Sequence, residues 1–337
     1  MNNENASAAK SYPWYDDRVK TLPGEESPFL DWPDDGPDEE EDYSTPRKIY
    51  EYLDASVWKQ EAAKKAASVI AWNCFTRRIR SNAMFVGPTG CGKTYIWRCL
   101  KRIFPDRIEI ADGSNLSQDG WRGSKKWATL LSSPVFRSGR HTILVIDEAD
   151  KMLSPKFSQG GENVSHSIQA EGLTMIEGSA VDIKEGSATY KINTAKISFV
   201  LCGAFSAKAA DMAEKETGSR IGFGAAPAET KAYNRPLTEA DLIEFGVMPE
   251  FMGRFQRIVN LEPMTADDYY RMTDNAGSTL QRIRRQYRAD IRLTQKTRRE
   301  LAEAALKNGL GIRGMENRIR AMLDEALFED CSRRRFE

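Results

Sequence analysis

The chain has no apolar stretch long enough to cross a bilayer. Its longest runs, TILVI and FVLCGAF, fall far short of the ~20 residues a spanning helix needs. No basic segment followed by an apolar one stands at the start, so the pattern of a secretory signal is missing. The five cysteines (Cys74, Cys91, Cys99, Cys202, Cys331) form no C-x-x-C pair, which removes the spacing of a zinc site. They read as reduced thiols, and the expected setting is cytoplasmic. No internal repeat of fixed period occurs, which sets solenoid and propeller folds aside.

What is present is a chain of 337 residues, enough for about two domains. Its 40% apolar content supports a core and its 29% charged content a soluble surface. The net charge of zero hides an asymmetry. Residues 1–42 hold thirteen acids and three bases, a balance of −10, which leaves +10 to the rest. We expect residues 1–43 to be a disordered acidic arm, either a solubilising tail or a docking arm for a basic partner.

From Ser44 the pattern changes. STPRKIYEYLD offers a helix start with proline close behind the cap, and KQEAAKKAASVIAWNCF a second helix. Strand-like runs (AMFVG, RIEIADG, HTILVIDEAD, AKISFVLCGAF) then alternate with helical ones (TYIWRCLKRIF, KKWATLLSS). That order predicts an α/β fold, a parallel sheet with helices on both faces. Past EPMT, near Pro263, the chain turns helical and basic. The expected division is therefore an α/β domain over 44–262 and a small, mainly helical domain over 263–337.

Two motifs carry chemistry. GPTGCGKT (Gly87, Pro88, Thr89, Gly90, Cys91, Gly92, Lys93, Thr94) fits G-x-x-x-x-G-K-[ST] between a strand and a helix, the place of a P-loop. Its glycines let backbone N–H groups turn toward phosphates, Lys93 would reach the β and γ phosphates, and the Thr94 hydroxyl would ligate Mg2+. TILVIDEADK has the form of the acidic strand that completes such a site: Asp147 would hold Mg2+ through its shell, and Glu148 would act as general base toward water. The expected cofactors are thus ATP and Mg2+.

The stretch LSQDGWRGSKK raises a separate question, because it sets Trp121 and Arg122 between Gly120 and Gly123. Glycine on both sides makes a flexible loop, yet tryptophan is a residue usually buried. Either the indole folds into the core or it is exposed for use.

Together these stretches resemble the ClpX family of AAA+ protein unfoldases over roughly residues 44–330. The likeness rests on TPRKIYEYLDASVWKQEAAKK, GPTGCGKT, ADGSNLSQDGWRG, VIDEADK, GLTMIEGS, RIGFGA, DLIEFGVMPEFMGRF and GIRGMENRI, in the family's order. It implies that Val57 and Trp58 line the adenine pocket, with Tyr95 also at the nucleotide. It implies that Arg254 is an arginine finger reaching a neighbouring subunit's site, and Arg313 the sensor arginine, both at work in catalysis within a homo-hexameric ring. GWRG stands where the family carries an aromatic loop that grips unfolded or tagged polypeptide. Ile221, Gly222 and Phe223 stand where the family docks a ClpP-like peptidase, with a short strand end as the plainer alternative.

There are also departures from the family pattern. The acidic arm replaces a zinc-binding domain, Lys59 replaces a glycine in the adenine turn, and Arg122 adds charge to the pore loop. Glu162 falls near an arginine of the second pore loop, and Cys202 is the nearest candidate for the sensor-1 position. AVDIKEGSATYKINTA is too short for the family's loop at the ring entrance. The implied function is ATP-driven unfolding, probing two outcomes: delivery to a peptidase, or stand-alone remodelling of protein or nucleic-acid complexes. No nucleic-acid reading module is spelled out, and the arginine-rich helices carry glutamates at helical spacing, which argues against nucleic acid as partner.

Overall fold

The runs AMFV, TILVID and ISFVLCG send alternate side chains to two buried faces, and they lie side by side as parallel strands. The structure, a computed structural model, describes residues 43–114, 116, 127–158, 160–185, 188–217, 233, 235–274, 278–307 and 311–336. The expectations for the acidic arm, for Gly120, Trp121, Arg122 and Gly123, and for Ile221, Gly222 and Phe223 lie outside those residues. From Asp42 onward the chain is one compact unit.

Two helices come first, α1 (Pro46–Ser56) and α2 (Glu61–Trp72), the second running on into a π-helical turn, Asn73–Arg77. Thr45 caps α1 by accepting from Lys48 N, and Pro46 takes the first helical position, where its missing N–H costs nothing. There follow β1 (Ala83–Val86), α3 (Lys93–Ile103), β2 (Ile108–Asp112), α4 (Trp127–Leu130), α5 (Pro134–Arg137) and β3 (Thr142–Asp147). Next are α6 (Ala149–Leu153), α7 (Val164–Glu177), β4 (Ala180–Glu185), β5 (Ala188–Asn193), β6 (Ile197–Gly203) and α8 (Ser206–Thr217). The sheet region closes with α9 (Glu239–Phe245), α10 (Pro249–Met252) and β7 (Arg257–Asn260). The C-terminal region holds α11 (Ala266–Met272), α12 (Ser278–Tyr287), β8 (Asp290–Ile291), α13 (Gln295–Lys307), α14 (Gly311–Glu329) and β9 (Arg335–Phe336).

The main sheet has the order β2-β3-β6-β1-β7, and every pairing in it is parallel. Met84, Val86, Leu144, Ile146, Phe199 and Leu201 enter one hydrophobic cluster. Ala83, Phe85, Ile143, Val145, Val200 and Cys202 enter a second on the opposite face. A sheet buried on both faces is why these strands read as continuous apolar runs. A third cluster, from Met264 to Phe336, belongs to the C-terminal helices.

Two features differ from the sequence reading. The stretch after IEGS is an antiparallel pair, with Val181 opposite Ile192 and Ile183 opposite Tyr190. The C-terminal region adds a short parallel pair, Asp290 with Arg335 and Ile291 with Phe336.

One packing contact allows a direct test. The Trp127 indole is fully buried, donates from Nε1 to Ile168 O at 2.8 Å, and lies against Gly172 of α7. A Cβ at position 172 would sit 2.4 Å from Trp127 Cζ2. Gly172→Ala should therefore destabilise the fold by about 3 kcal/mol, the upper end of the usual overpacking cost. Denaturant unfolding checks it; a cost under ~1 kcal/mol would mean the indole has room to move.

Candidate functional site

The three neighbouring strands β3, β6 and β1 end level with one another. Ile146 is paired with Leu201, Phe85 with Cys202 and Val86 with Gly203, so Asp147 comes alongside Cys202 at the edge where β1 gives out. Gly87 to Thr94 leave that edge and turn into α3. Gly92 stands just before the helix at φ +103°, a conformation that L side chains rarely adopt. The turn buries Lys93 and Thr94 in the first helical positions. Lys93 Nζ lies inside the loop, donating to Gly87 O at 2.6 Å and Pro88 O at 2.7 Å. Thr94 Oγ1 donates to Asp147 Oδ1 at 2.7 Å.

Glu148 follows in the left-handed region, at φ +53°, and its N–H donates to Asp147 Oδ1 at 3.0 Å. That backbone twist separates the two carboxylates. Asp147 turns to Thr94, while Glu148 stays exposed on the cavity wall. Asp150, one turn on, is buried and accepts from Ala204 N at 3.2 Å, which ties α6 to the end of β6. The Cys202 thiol is pushed well up, first by burial and then by the Asp147 charge, and is protonated at neutral pH.

These groups line one cavity of about 460 Å³, within the usual size range of small-molecule sites. Val57, Trp58, Thr89, Gly90, Cys91, Gly92, Lys93, Thr94, Tyr95, Asp147, Glu148, Cys202 and Arg313 all contribute to its wall. Gly87 and Pro88 stand behind that wall, their carbonyls accepting from Lys93. The C-terminal region adds Met264, Met272, Thr279, Arg282, Ile312 and Glu316 to the wall. Gly311, at φ +57°, starts α14 so close to the P-loop that a Cβ there would lie 3.0 Å from Gly90 Cα. Arg313 is thereby brought to the cavity in the first turn of α14.

Sequence reasoning missed Arg282. From α12 it donates to the Tyr95 hydroxyl at 3.3 Å, pairs with Glu316 and lines the same cavity. Nothing in QRIRRQ marks it out among its neighbouring arginines. Arg254 is elsewhere. It follows α10, its carbonyl accepts from Asn82 Nδ2 at 3.0 Å, and its guanidinium pairs with Glu177. Asn82 precedes β1, so Arg254 stands at the N-terminal edge of the sheet and the P-loop at the C-terminal edge.

The turn at residues 58–60 carries a second set of contacts. Trp58 Nε1 donates to Asp268 Oδ1 at 3.1 Å. Lys59 Nζ lies 3.4 Å from Asp268 Oδ2, 3.2 Å from Glu262 Oε2 and 3.1 Å from Pro263 O. Gln60 exchanges two bonds with the Glu262 backbone, at 2.8 and 2.9 Å. Asp268 also accepts from Thr265 N and Oγ1, completing the capping box of α11. Burial alone would raise the Asp268 carboxyl, but the Thr265, Trp58 and Lys59 donors hold it below its ordinary value of 3.8. Its contribution to stability is therefore complete above that value and is lost only as pH falls through the lower, folded one.

A parallel sheet with a glycine-rich loop between an inner strand and a helix, beside an acidic strand end, defines a P-loop nucleoside triphosphatase. Residues 78–258 match the family described as AAA domain (Cdc48 subfamily). The chain is 28% identical over 326 residues to the ATP-dependent Clp protease ATP-binding subunit ClpX of Treponema denticola, covering 85% of this chain and 77% of that protein. It is 30% identical over 329 residues to the ClpX subunit of Azotobacter vinelandii, covering 84% and 74%. A third relative, ClpX 3 of Methylococcus capsulatus, is 30% identical over 335 residues, covering 84% and 76%. The chain belongs to the ClpX family: it is an ATP-hydrolysing AAA+ ATPase of the Clp type. Among the described residues, no helix is long and apolar enough to cross a membrane.

Lys59 sits at φ +57°, where a non-glycine residue is strained by ~1 kcal/mol. Lys59→Gly should relieve that strain while losing the contacts to Glu262, Pro263 and Asp268. Lys59→Ala should lose the contacts and keep the strain. The glycine variant should thus be the more stable of the two by about 1 kcal/mol in denaturant unfolding, the reverse of the order at an ordinary site. Equal stabilities, or alanine ahead, would show the turn to be free of strain.

Proposed function

We propose that the protein is an ATP-driven polypeptide unfoldase that works as a hexameric ring of like subunits and delivers its substrate to a ClpP-like peptidase. The observation that carries the ring is the position of Arg254. Four residues of strand rise, ~13 Å, separate Asn82, which holds its backbone, from the end of β1 where the P-loop begins. An arginine there is out of reach of its own chain's cavity, yet phosphoryl transfer gains ~10³–10⁵ in rate from such a cation at the γ-phosphate. A neighbouring copy is the natural recipient. The names of the curated relatives, each an ATP-binding subunit of a Clp protease, support the delivery step.

Within the cavity each residue has a role that fits its surroundings. Lys93, seated among loop carbonyls, is placed to exchange them for the stronger acceptors of a β or γ phosphate. Thr94 Oγ1 and Asp147 Oδ1 converge as hard oxygen donors, which suits Mg2+. When bound there, Mg2+ would neutralise phosphate charge. Glu148, exposed on the wall, takes the proton of the attacking water. Val57 and Trp58 receive the base, and Arg313 from α14 reports the phosphate state to the C-terminal helices. Trp121, with Gly120, Arg122 and Gly123, grips the polypeptide: an indole face presses on any chain without reading its sequence. Ile221, Gly222 and Phe223 dock the peptidase, with several weak contacts acting at once.

One set of variants tests the reading, using a tagged folded substrate, ATP and the ClpP peptidase of the same host. Glu148→Gln should bind ATP and lose at least ~100-fold in turnover, within the range a general base contributes. Trp121→Ala should keep ATP turnover and lose unfolding. Phe223→Ala should keep both and lose degradation. Wild-type protein that unfolds substrate without activating the peptidase would make it a stand-alone remodeller. Turnover in Glu148→Gln within about threefold of wild type would sink the assignment of the base.

A further inference from the structure

The surroundings of Arg254 are more ordered than an exposed side chain requires. Its N–H donates to Phe251 O at 3.1 Å, and its carbonyl accepts from Asn82 Nδ2 at 3.0 Å. Asn82 is buried and fully engaged: its N–H donates to Gln256 Oε1 at 2.6 Å, and its Oδ1 accepts from Phe199 N at 2.9 Å. The backbone of Arg254 is thereby fixed to the sheet. Its guanidinium then meets the Glu177 carboxylate, Nη2 donating to Oε1. Glu177 is the last residue of α7, and its own carbonyl is held by Arg80 Nη2 at 3.1 Å. Both partners of the ion pair are therefore anchored through their backbones.

The pair itself does little for stability. Both side chains are about half exposed, 48% and 49%, and ion pairs in that setting are screened by water. The same exposure leaves the guanidinium accessible: Glu177 engages one of its nitrogens, and among the described residues no other acceptor meets its remaining N–H donors, which can turn to an oxyanion. A planar fork held at one nitrogen has part of its rotamer freedom already spent and is turned toward a second acceptor on its open side.

We propose that Glu177 is a positioning residue for phosphoryl transfer, holding the Arg254 guanidinium in the orientation that meets the γ-phosphate of ATP on a neighbouring copy of the chain. This rests on the reading of Arg254 as acting in trans. Glu177 touches neither nucleotide nor attacking water. Its effect falls on the chemical step in the adjacent subunit, and ATP binding in either subunit is left to the P-loop.

The test is steady-state ATP hydrolysis by the full chain at concentrations where its oligomer is formed, with thermal unfolding alongside. Glu177→Ala should lower kcat about tenfold, the low end of what losing an orienting partner costs. KM for ATP should stay within about twofold, because ground-state binding is not involved. Tm should stay within ~2 °C, as befits an exposed pair. Glu177→Gln, which keeps an oxygen for Nη2, should recover part of the rate. In an Arg254→Ala background, Glu177→Ala should add nothing, since the residue it positions is gone. An unchanged kcat in Glu177→Ala overturns the proposal, and so does a raised one, which would make the carboxylate a cage for the arginine. A fall in kcat matched by a fall in Tm overturns it as well, in favour of a structural role. The two readings separate cleanly. If Arg254→Ala loses turnover and Glu177→Ala does not, only the positioning role fails. If Arg254→Ala itself keeps full turnover, the trans-acting arginine fails and this proposal goes with it.

Discussion

The parallel register of β3, β6 and β1 is the constraint on which the catalytic half of the molecule depends. Pairing Ile146 with Leu201 and Val86 with Gly203 brings Asp147, Cys202 and the mouth of the P-loop to one level at the C-terminal edge of the sheet. The Thr94–Asp147 contact joins residues 53 apart in sequence across that edge. A one-residue slip of β3 would turn Asp147 to the opposite face and exchange the apolar sets of two separate cores. Both faces are buried, so the slip is strongly disfavoured. Packing on the two sides of the sheet therefore fixes the site before any ligand does.

Among the described residues, the C-terminal helices are joined to that edge at three places of different character. Gly311 meets Gly90 backbone to backbone, Arg282 reaches Tyr95, and the turn at 58–60 holds residues 262–268 through side chains. The first is a steric fit that only glycine permits. The second runs through a cavity-lining hydroxyl, and in the third Trp58 and Lys59 meet on the Asp268 carboxylate while Gln60 pairs with the Glu262 backbone. That carboxylate caps α11 while also accepting from Trp58, a residue of the cavity wall. A rotation of α11 relative to the sheet would have to disturb the Trp58 wall of the cavity, because the same carboxylate serves both.

How much of this could be read from the residues follows the range of the interactions. The P-loop and the acidic strand end were legible because their chemistry is local: the glycines, Lys93 and Thr94 act within one turn of chain, and TILVID carries its own strand signal. The cap of α1 was legible for the same reason, Thr45 and Pro46 being neighbours. The pair β4–β5 was passed over, although Val181 and Ile183 alternate with polar residues, because a short, largely exposed hairpin carries few apolar residues to count. Strands β8 and β9 hold two residues each, below the length at which any period shows. Arg282, Asn82 and Glu177 were invisible for a different reason. Each matters through a partner far away in sequence, and nothing within a local window distinguishes it from an ordinary surface or strand-end residue.

The separation of Arg254 from its own cavity also limits how copies of the chain can be arranged if the arginine serves a neighbour. One patch, at the C-terminal edge of the sheet, receives a cation, and a different patch, at the N-terminal edge, supplies one. An antiparallel two-fold dimer would close two such contacts at once, each N-terminal edge lying beside the partner's C-terminal edge. The other arrangement is heterologous, each copy giving at one end and receiving at the other, and a closed rotation is what stops such a contact from running on as a filament. The proposed ring takes this second form, and in it the Glu177–Arg254 pair stands where each subunit's fold would bear on the chemistry of the next.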